Sequence, residues 1–104
     1  MGRRAKNDNT NYKSILKQIL VVDPYNVSAN ITQAEDYALN KKYKLSRDSY
    51  RKALRTEPNN IDALFGYAQM SYYLDDIDSA KTYFETILQI DSYHAPALAY
   101  MGKL

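Results

Sequence analysis

The sequence repeats itself every 34 residues. Three short polar segments mark the repeat, at residues 23–26, 57–60 and 91–94, and they read Asp-Pro-Tyr-Asn, Glu-Pro-Asn-Asn and Asp-Ser-Tyr-His. A regular period of this size is typical of one supersecondary unit stacked several times, in which each unit buries its apolar face only against its neighbours. The repeat therefore predicts a thin, layered core built by stacking.

An amphipathic run precedes each polar segment, and its apolar positions keep the same register from unit to unit. The aligned positions hold Leu16, Tyr50 and Phe84; Ile19, Ala53 and Ile87; and Leu20, Leu54 and Leu88. Apolar residues at i, i+3 and i+4 form one face of a helix. Each run is therefore predicted to be an amphipathic helix.

Proline and asparagine divide these helices from one another. Pro24 and Pro58 stop a helix, because proline lacks an N–H group and disfavours helical geometry in the residue before it. Asn26 and Asn60 follow, where an N-cap is expected, and Pro96 suits the first turn of a last helix. With further breaks at residues 40–42 and 74–76, the sequence predicts helices over 11–22, 27–40, 44–57, 61–74, 78–91 and 95–103.

This pattern resembles the tetratricopeptide repeat, a helical hairpin that has the same period and carries large and small residues at set positions. The unit 61–94 fills these positions with Leu64, Tyr67, Ala68, Ala80, Phe84 and Ile87, where Ile87 replaces an expected small residue. The unit 27–60 fills them with Ala34, Tyr37, Ser46, Tyr50, Ala53 and Pro58. The resemblance implies an all-α solenoid of antiparallel helical hairpins in a right-handed superhelix. Asn30 and Gln33 replace bulky apolar residues, which predicts an unusually polar contact in the first full unit.

The predicted domain organisation follows from the same register. Residues 1–10 are polar and basic and are expected to form a disordered tail, and the repeat domain is expected to occupy 11–104. Its predicted parts are the second helix of a partial repeat (11–26), two full repeats (27–60 and 61–94) and a partial first helix (95–104).

The last predicted helix carries an apolar stripe of Leu98, Met101 and Leu104 that no following helix covers. Two interpretations remain open: the chain is a fragment of a longer solenoid, or it associates through its ends. The net charge of +3 for residues 1–26, +3 for 27–60 and −5 for 61–94 would favour head-to-tail contact. Chance clustering of surface charge is the simpler explanation.

In tetratricopeptide repeats the first helix of each unit lines a concave groove that takes a peptide or a partner helix. Carried over by this resemblance, the groove residues are Ile31, Glu35, Leu39, Asp62, Phe65, Gln69, Tyr72, Tyr73 and Ala99. An aromatic floor with two carboxylates suits an apolar or mildly basic peptide. Phe65 and Tyr72 could instead simply pack against the neighbouring first helices.

Some members of the family bind a terminal carboxylate with cationic residues on the first helices. The corresponding positions here hold Ile31, Glu35, Gly66, Pro96 and Tyr100, and none of them is cationic. Because Glu35 would repel a carboxylate, we expect no carboxylate clamp.

A basic stripe on the second helix of the first full unit is the other notable surface feature. Lys44, Arg47, Arg51 and Arg55 share one face, which the resemblance places on the convex side. Such a patch could bind nucleic acid, an anionic membrane or an acidic partner. A solvated helix face is the commoner explanation, and no RNP or zinc-finger pattern accompanies the stripe.

Catalysis is not expected. The sequence has no Cys, and its single histidine, His94, occupies the N-cap position of Asn26 and Asn60. Gly-rich phosphate loops and the EF-hand pattern are missing, so no cofactor or metal is predicted.

No apolar run approaches the ~18 residues that span a bilayer, and the polar start is unlike a secretory signal, so a cytoplasmic location is expected. The sequence predicts a protein interaction scaffold.

Overall fold

The computed structural model describes the backbone from Gly2 and the side chains of residues 12–104. Over this part of the chain it contains six helices: α1 Gly2–Val22, α2 Val27–Leu39, α3 Tyr43–Thr56, α4 Ile61–Tyr73, α5 Ile77–Ile90 and α6 Ala95–Met101. The predicted positions of α2 to α6 are confirmed. No strand is present between Gly2 and Leu104.

Helix α1 is longer than expected. It begins at Gly2, whereas the amphipathic pattern predicts a start near residue 11. The start is corrected accordingly, because the polar residues before residue 11 continue the helix although they lack an apolar face. Residues 1–10 were expected to be disordered. Met1 and the side chains of residues 2–11 lie outside the described residues.

Side-chain caps start the first helix of each unit. The Oδ1 atoms of Asn26 and Asn60 accept hydrogen bonds from the backbone N–H groups of Ala29 (2.8 Å) and Ala63 (2.9 Å). His94 does the same with Nδ1, which accepts from the N–H of Ala97 at 3.2 Å. These bonds satisfy donors that the first turn of a helix leaves free. The predicted capping positions are confirmed.

The hairpin turns use residues with left-handed backbone geometry. Lys41 between α2 and α3 has φ 59°, and Asp75 between α4 and α5 has φ 63°. Such a conformation lets the chain reverse within a few residues, at a steric cost for residues other than glycine. The two turns lie one repeat length apart, so the backbone repeats as the sequence does.

Two apolar clusters hold the hairpins together, and both include residues of α4. The first cluster lies between α2, α3 and α4 and contains Ala34, Tyr50, Ala53, Ala63 and Met70. The second lies between α4, α5 and α6 and contains Leu64, Ala68, Ala80, Phe84, Ile87 and Ala97. Alanines at the contacts let the helices approach closely. Helix α4 therefore joins the two full units into one stack.

The predicted polar contact in the first full unit is confirmed. Asn30 is buried, and its Nδ2 donates to the carbonyl oxygens of Pro24 (2.9 Å) and Asn26 (2.8 Å). Nearby, the hydroxyl of Ser49 donates to Oε1 of Gln33 at 3.2 Å. These bonds tie α2 both to the turn before it and to α3.

Candidate functional site

An open groove of about 850 Å³ runs between the first helices α2 and α4 and is bordered by α3 and the start of α6. Six of the groove residues expected from the sequence line it: Glu35, Leu39, Asp62, Phe65, Gln69 and Tyr73. Asp62 belongs to the first turn of α4 and Tyr73 to the last, so roughly 16 Å of helix separates them. The groove therefore has distinct ends.

Three expected residues do not line this groove. Ile31 packs on the cluster between α2, α3 and α4. Tyr72 packs on the cluster between α4, α5 and α6, with its ring 5.3 Å from that of Tyr100. Ala99 is exposed outside the groove. For Tyr72 the packing interpretation is therefore correct, because the residue lies on the side of α4 that faces α6.

Tyr73 and its neighbours form an aromatic end of the groove. The rings of Tyr43 and Tyr73 lie 5.0 Å apart, and the Tyr73 hydroxyl is 3.1 Å from that of Tyr100. The hydrogen bond with Tyr100, together with burial, raises the pKa of Tyr73 to about 12. Gln69 donates to the same Tyr100 hydroxyl at 2.9 Å. These bonds hold the side chains in place while Tyr73 and Leu39 remain 46% and 82% exposed.

Tyr50 reaches the groove from the second helix α3, although the family resemblance predicts a groove lined by first helices. Its ring lies against Gly66 on α4, and a Cβ atom at position 66 would overlap that ring. One unit later the equivalent residues are Phe84 and Tyr100, whose rings stack 5.0 Å apart. The absent side chain at Gly66 therefore opens a gap through which Tyr50 faces the groove. In the sequence, this gap could have been predicted from Gly66, because the equivalent position in the next unit holds the bulky Tyr100.

The groove is acidic around Tyr50. Burial, followed by the charges of Glu35 and Asp62, raises the pKa of Tyr50 to about 12. Both carboxylates are exposed, and within residues 12–104 the two ion pairs are Arg47–Asp76 and Arg51–Asp48, so neither carboxylate is paired there. Lys41 lines the groove as well, beyond the C-terminal end of α2.

The groove also contains residues that no motif indicated. They are Ala38, Lys41, Tyr43, Met70, His94 and Pro96. His94 caps α6 and packs its ring 5.8 Å from that of Phe65, so it has a structural role at the edge of the groove. No set of three His, Cys, Asp or Glu side chains is grouped for metal binding in the described part of the chain.

The predicted basic stripe makes contacts within the chain. Arg47 Nη1 donates to Asp76 Oδ2 at 2.8 Å and to the hydroxyl of Ser71 at 3.1 Å. Arg51 pairs with Asp48 at 3.0 Å. Hence two of these cations are partly neutralised by acidic neighbours.

The other two residues of the stripe, Lys44 and Arg55, have no acidic partner within residues 12–104. The guanidinium carbon of Arg55 lies 4.4 Å from the centre of the Tyr25 ring, and Nη1 donates to the Tyr25 hydroxyl at 3.1 Å. Lys44 is exposed. Arg55 therefore joins α3 to the preceding turn, and the stripe is not a row of four free cations.

We expect Arg47→Ala to lower the free energy of unfolding by about 1 to 3 kcal/mol, because it leaves the buried hydroxyl of Ser71 without its partner. Arg51→Ala is the matched control and should cost less than about 1 kcal/mol, because its ion pair is exposed. Urea unfolding followed by circular dichroism measures both. Equal losses for the two variants would contradict the structural role of Arg47.

The same ion pair has a predicted pH dependence. The hydrogen bond from Arg47 holds the pKa of Asp76 below its ordinary value of 3.8. Stabilisation from this pair is therefore fully present above the ordinary pKa and is lost as the pH falls through the lowered one.

The predicted terminal stripe is only partly exposed. Leu98 and Leu104 are 47% and 40% exposed, whereas Met101 packs on the cluster between α4, α5 and α6.

Among the described residues, no helix combines the length and the apolar character that crossing a membrane requires.

Comparison with known proteins identifies the fold. No protein-family model matches the sequence, and no curated protein does. A solved structure described as the first TPR of Spaghetti (RPAP3) bound to the HSP90 peptide SRMEEVD matches this chain with a TM-score of 0.82 and 18% sequence identity. The match covers 98% of this chain and 82% of the other. The chain therefore has the all-α tetratricopeptide-repeat fold of helical hairpins.

Proposed function

We propose that the chain is a non-catalytic interaction scaffold that holds an apolar or mildly basic peptide or helix in the groove between α2 and α4. The observation that carries this proposal is the aromatic end of the groove. Leu39 and Tyr73 are exposed there, although hydrogen bonds fix the neighbouring side chains. Exposed apolar side chains on a preorganised concave surface are typical of binding sites.

The structural neighbour supports the same function. Its description says that it binds an HSP90 peptide, SRMEEVD. That peptide contains three acidic residues, whereas the groove here presents Glu35 and Asp62. We therefore propose a shared mode of binding, a peptide in a groove, with a different preference for peptide charge.

A selection from a random library of dodecapeptides, capped at both termini, tests the proposal. We expect selected peptides to bind the wild-type chain and to lose roughly 10- to 100-fold in affinity with Leu39→Ser, because burying a leucine side chain contributes about 1.5 to 3 kcal/mol. Tyr73→Ala should cause a similar loss. Fluorescence anisotropy measures the dissociation constants.

The control is Tyr93→Ala, which removes an aromatic ring that is 89% exposed and outside the groove. Peptide affinity should not change with this variant. An empty selection, or peptides that bind Leu39→Ser as tightly as the wild-type chain, would refute the groove as the binding site.

The two alternative functions have less support. The contacts of Arg47, Arg51 and Arg55 within the chain count against an electrostatic binder of nucleic acid or membrane. Head-to-tail self-association stays a prediction, based on the exposure of Leu98 and Leu104.

A further inference from the structure

The Tyr50 hydroxyl has an unusual position in the groove. Tyr50 is only 6% exposed, yet it lines the groove, and its hydroxyl makes no hydrogen bond with any described residue. At the wall of an open groove such a hydroxyl can be hydrated by water, which a donor on a ligand can replace. The hydroxyl is therefore available to a ligand that enters the groove.

The surroundings of this hydroxyl select the charge of such a ligand. Glu35 on α2 and Asp62 on α4 line the same groove as Tyr50, and neither has a cationic partner within residues 12–104. An anionic ligand would be repelled by both carboxylates. A cation would gain from both, and its N–H groups could also donate to the tyrosine oxygen.

We propose that Glu35, Tyr50 and Asp62 form a recognition site for the cationic side chain of a lysine or arginine in the bound peptide. This inference rests on the proposed function of the groove and specifies where and how a basic residue is held. The apolar stem of either residue can lie along Phe65 and Met70, which line the same groove.

The spacing between Glu35, at the cation site, and Leu39, at the aromatic end of the groove, predicts a sequence pattern in the ligand. Glu35 and Leu39 are one helical turn apart, which is roughly 6 Å along α2. An extended peptide covers this distance in about two residues. We therefore expect a bulky apolar residue two positions from the cation, placed against Leu39 and Tyr73. Lys41 lies beyond Leu39, so a cation is disfavoured at that end.

The peptide library separates this inference from the proposed function. Because both peptide termini are capped, any positive charge that the groove selects must belong to a side chain. We expect the selected peptides to be enriched in lysine or arginine two positions from a bulky apolar residue. Replacing that cation by norleucine in the tightest peptide should weaken binding roughly tenfold or more.

The corresponding protein variant is Glu35→Gln combined with Asp62→Asn. It should lose about as much affinity for the cationic peptide and bind the norleucine peptide as the wild-type chain does. Tyr50→Phe, which removes only the unpaired hydroxyl, should weaken binding of the cationic peptide by a smaller factor. Glu85→Gln removes an exposed charge outside the groove and is the matched control. Melting temperatures of all variants verify that they fold.

The outcomes are distinct. If the peptides lose affinity with Leu39→Ser but show no preference for a cation, the inference is overturned and the proposed function stands. Unchanged affinity in the Glu35→Gln, Asp62→Asn variant has the same meaning. If no peptide binds, or if binding ignores Leu39→Ser, the proposed function fails and the cation site fails with it.

Discussion

Replacing Phe84 with alanine should lower the free energy of unfolding by about 3 to 5 kcal/mol, because it empties the centre of a packed cluster. Phe84 is fully buried, and its ring lies 5.8 Å from that of Phe65 on α4 and 5.0 Å from that of Tyr100 on α6. This one side chain therefore joins three helices. Urea unfolding should show a lower midpoint.

The matched control is Tyr93→Ala, which removes an aromatic ring that is 89% exposed and should change stability by less than about 0.5 kcal/mol. Hydrogen exchange adds a second readout for Phe84→Ala. Units of a repeat protein contact mainly their neighbours, so amides in α5 and α6 should lose more protection than those in α2. A loss below about 1 kcal/mol would contradict the central position of Phe84.

Asn30→Asp should cost about 3 to 5 kcal/mol near neutral pH, although it changes the shape of the side chain very little. Asn30 is only 1% exposed and donates hydrogen bonds to two carbonyl oxygens, those of Pro24 and Asn26. An aspartate would place a buried negative charge against both oxygens and donate nothing. Thermal or urea unfolding of the variant measures the loss.

The effect of Asn30→Asp should depend on pH. Burial without donors raises the pKa of the new carboxyl group above its unfolded value, so stability is highest when the group is protonated and falls as the pH rises through the raised pKa. The variant should therefore be closest to the wild-type chain in acid. Asn40→Asp is the control, at an exposed amide that donates to the backbone carbonyl oxygen of Asp36, and it should cost less than about 1 kcal/mol at any pH. A pH-independent loss for Asn30→Asp would contradict this account.

The helices could be predicted from the sequence because their ends depend on local chemistry. Asn26 and Asn60 cap the helices they precede, and Pro24 and Pro58 stand in the turns before them. Such signals act over a few residues and need no knowledge of the rest of the fold. The start of α1 was missed because polar residues that continue a helix carry no periodic pattern.

The groove could be predicted only in part, because its lining depends on how neighbouring helices face one another. Tyr50 and Phe84 occupy the same position in their units, so the sequence alone predicts the same role for both. Their environments differ because the Tyr50 ring lies against Gly66, which has no side chain, whereas the ring of Tyr100 stacks on Phe84. Likewise, the sequence places Arg47 in a stripe of solvated cations. Its partner Asp76 lies in the next unit, and no periodic pattern links the two residues.

The gap at Gly66 has a consequence for how such a scaffold can diverge in evolution. One change at this codon to a residue with a side chain would push the Tyr50 ring aside or require a smaller residue on α3. Tyr50 also belongs to the apolar cluster between α2, α3 and α4, so either change would disturb that cluster. The ligand preference of the groove and the stability of the stack are therefore coupled at this position.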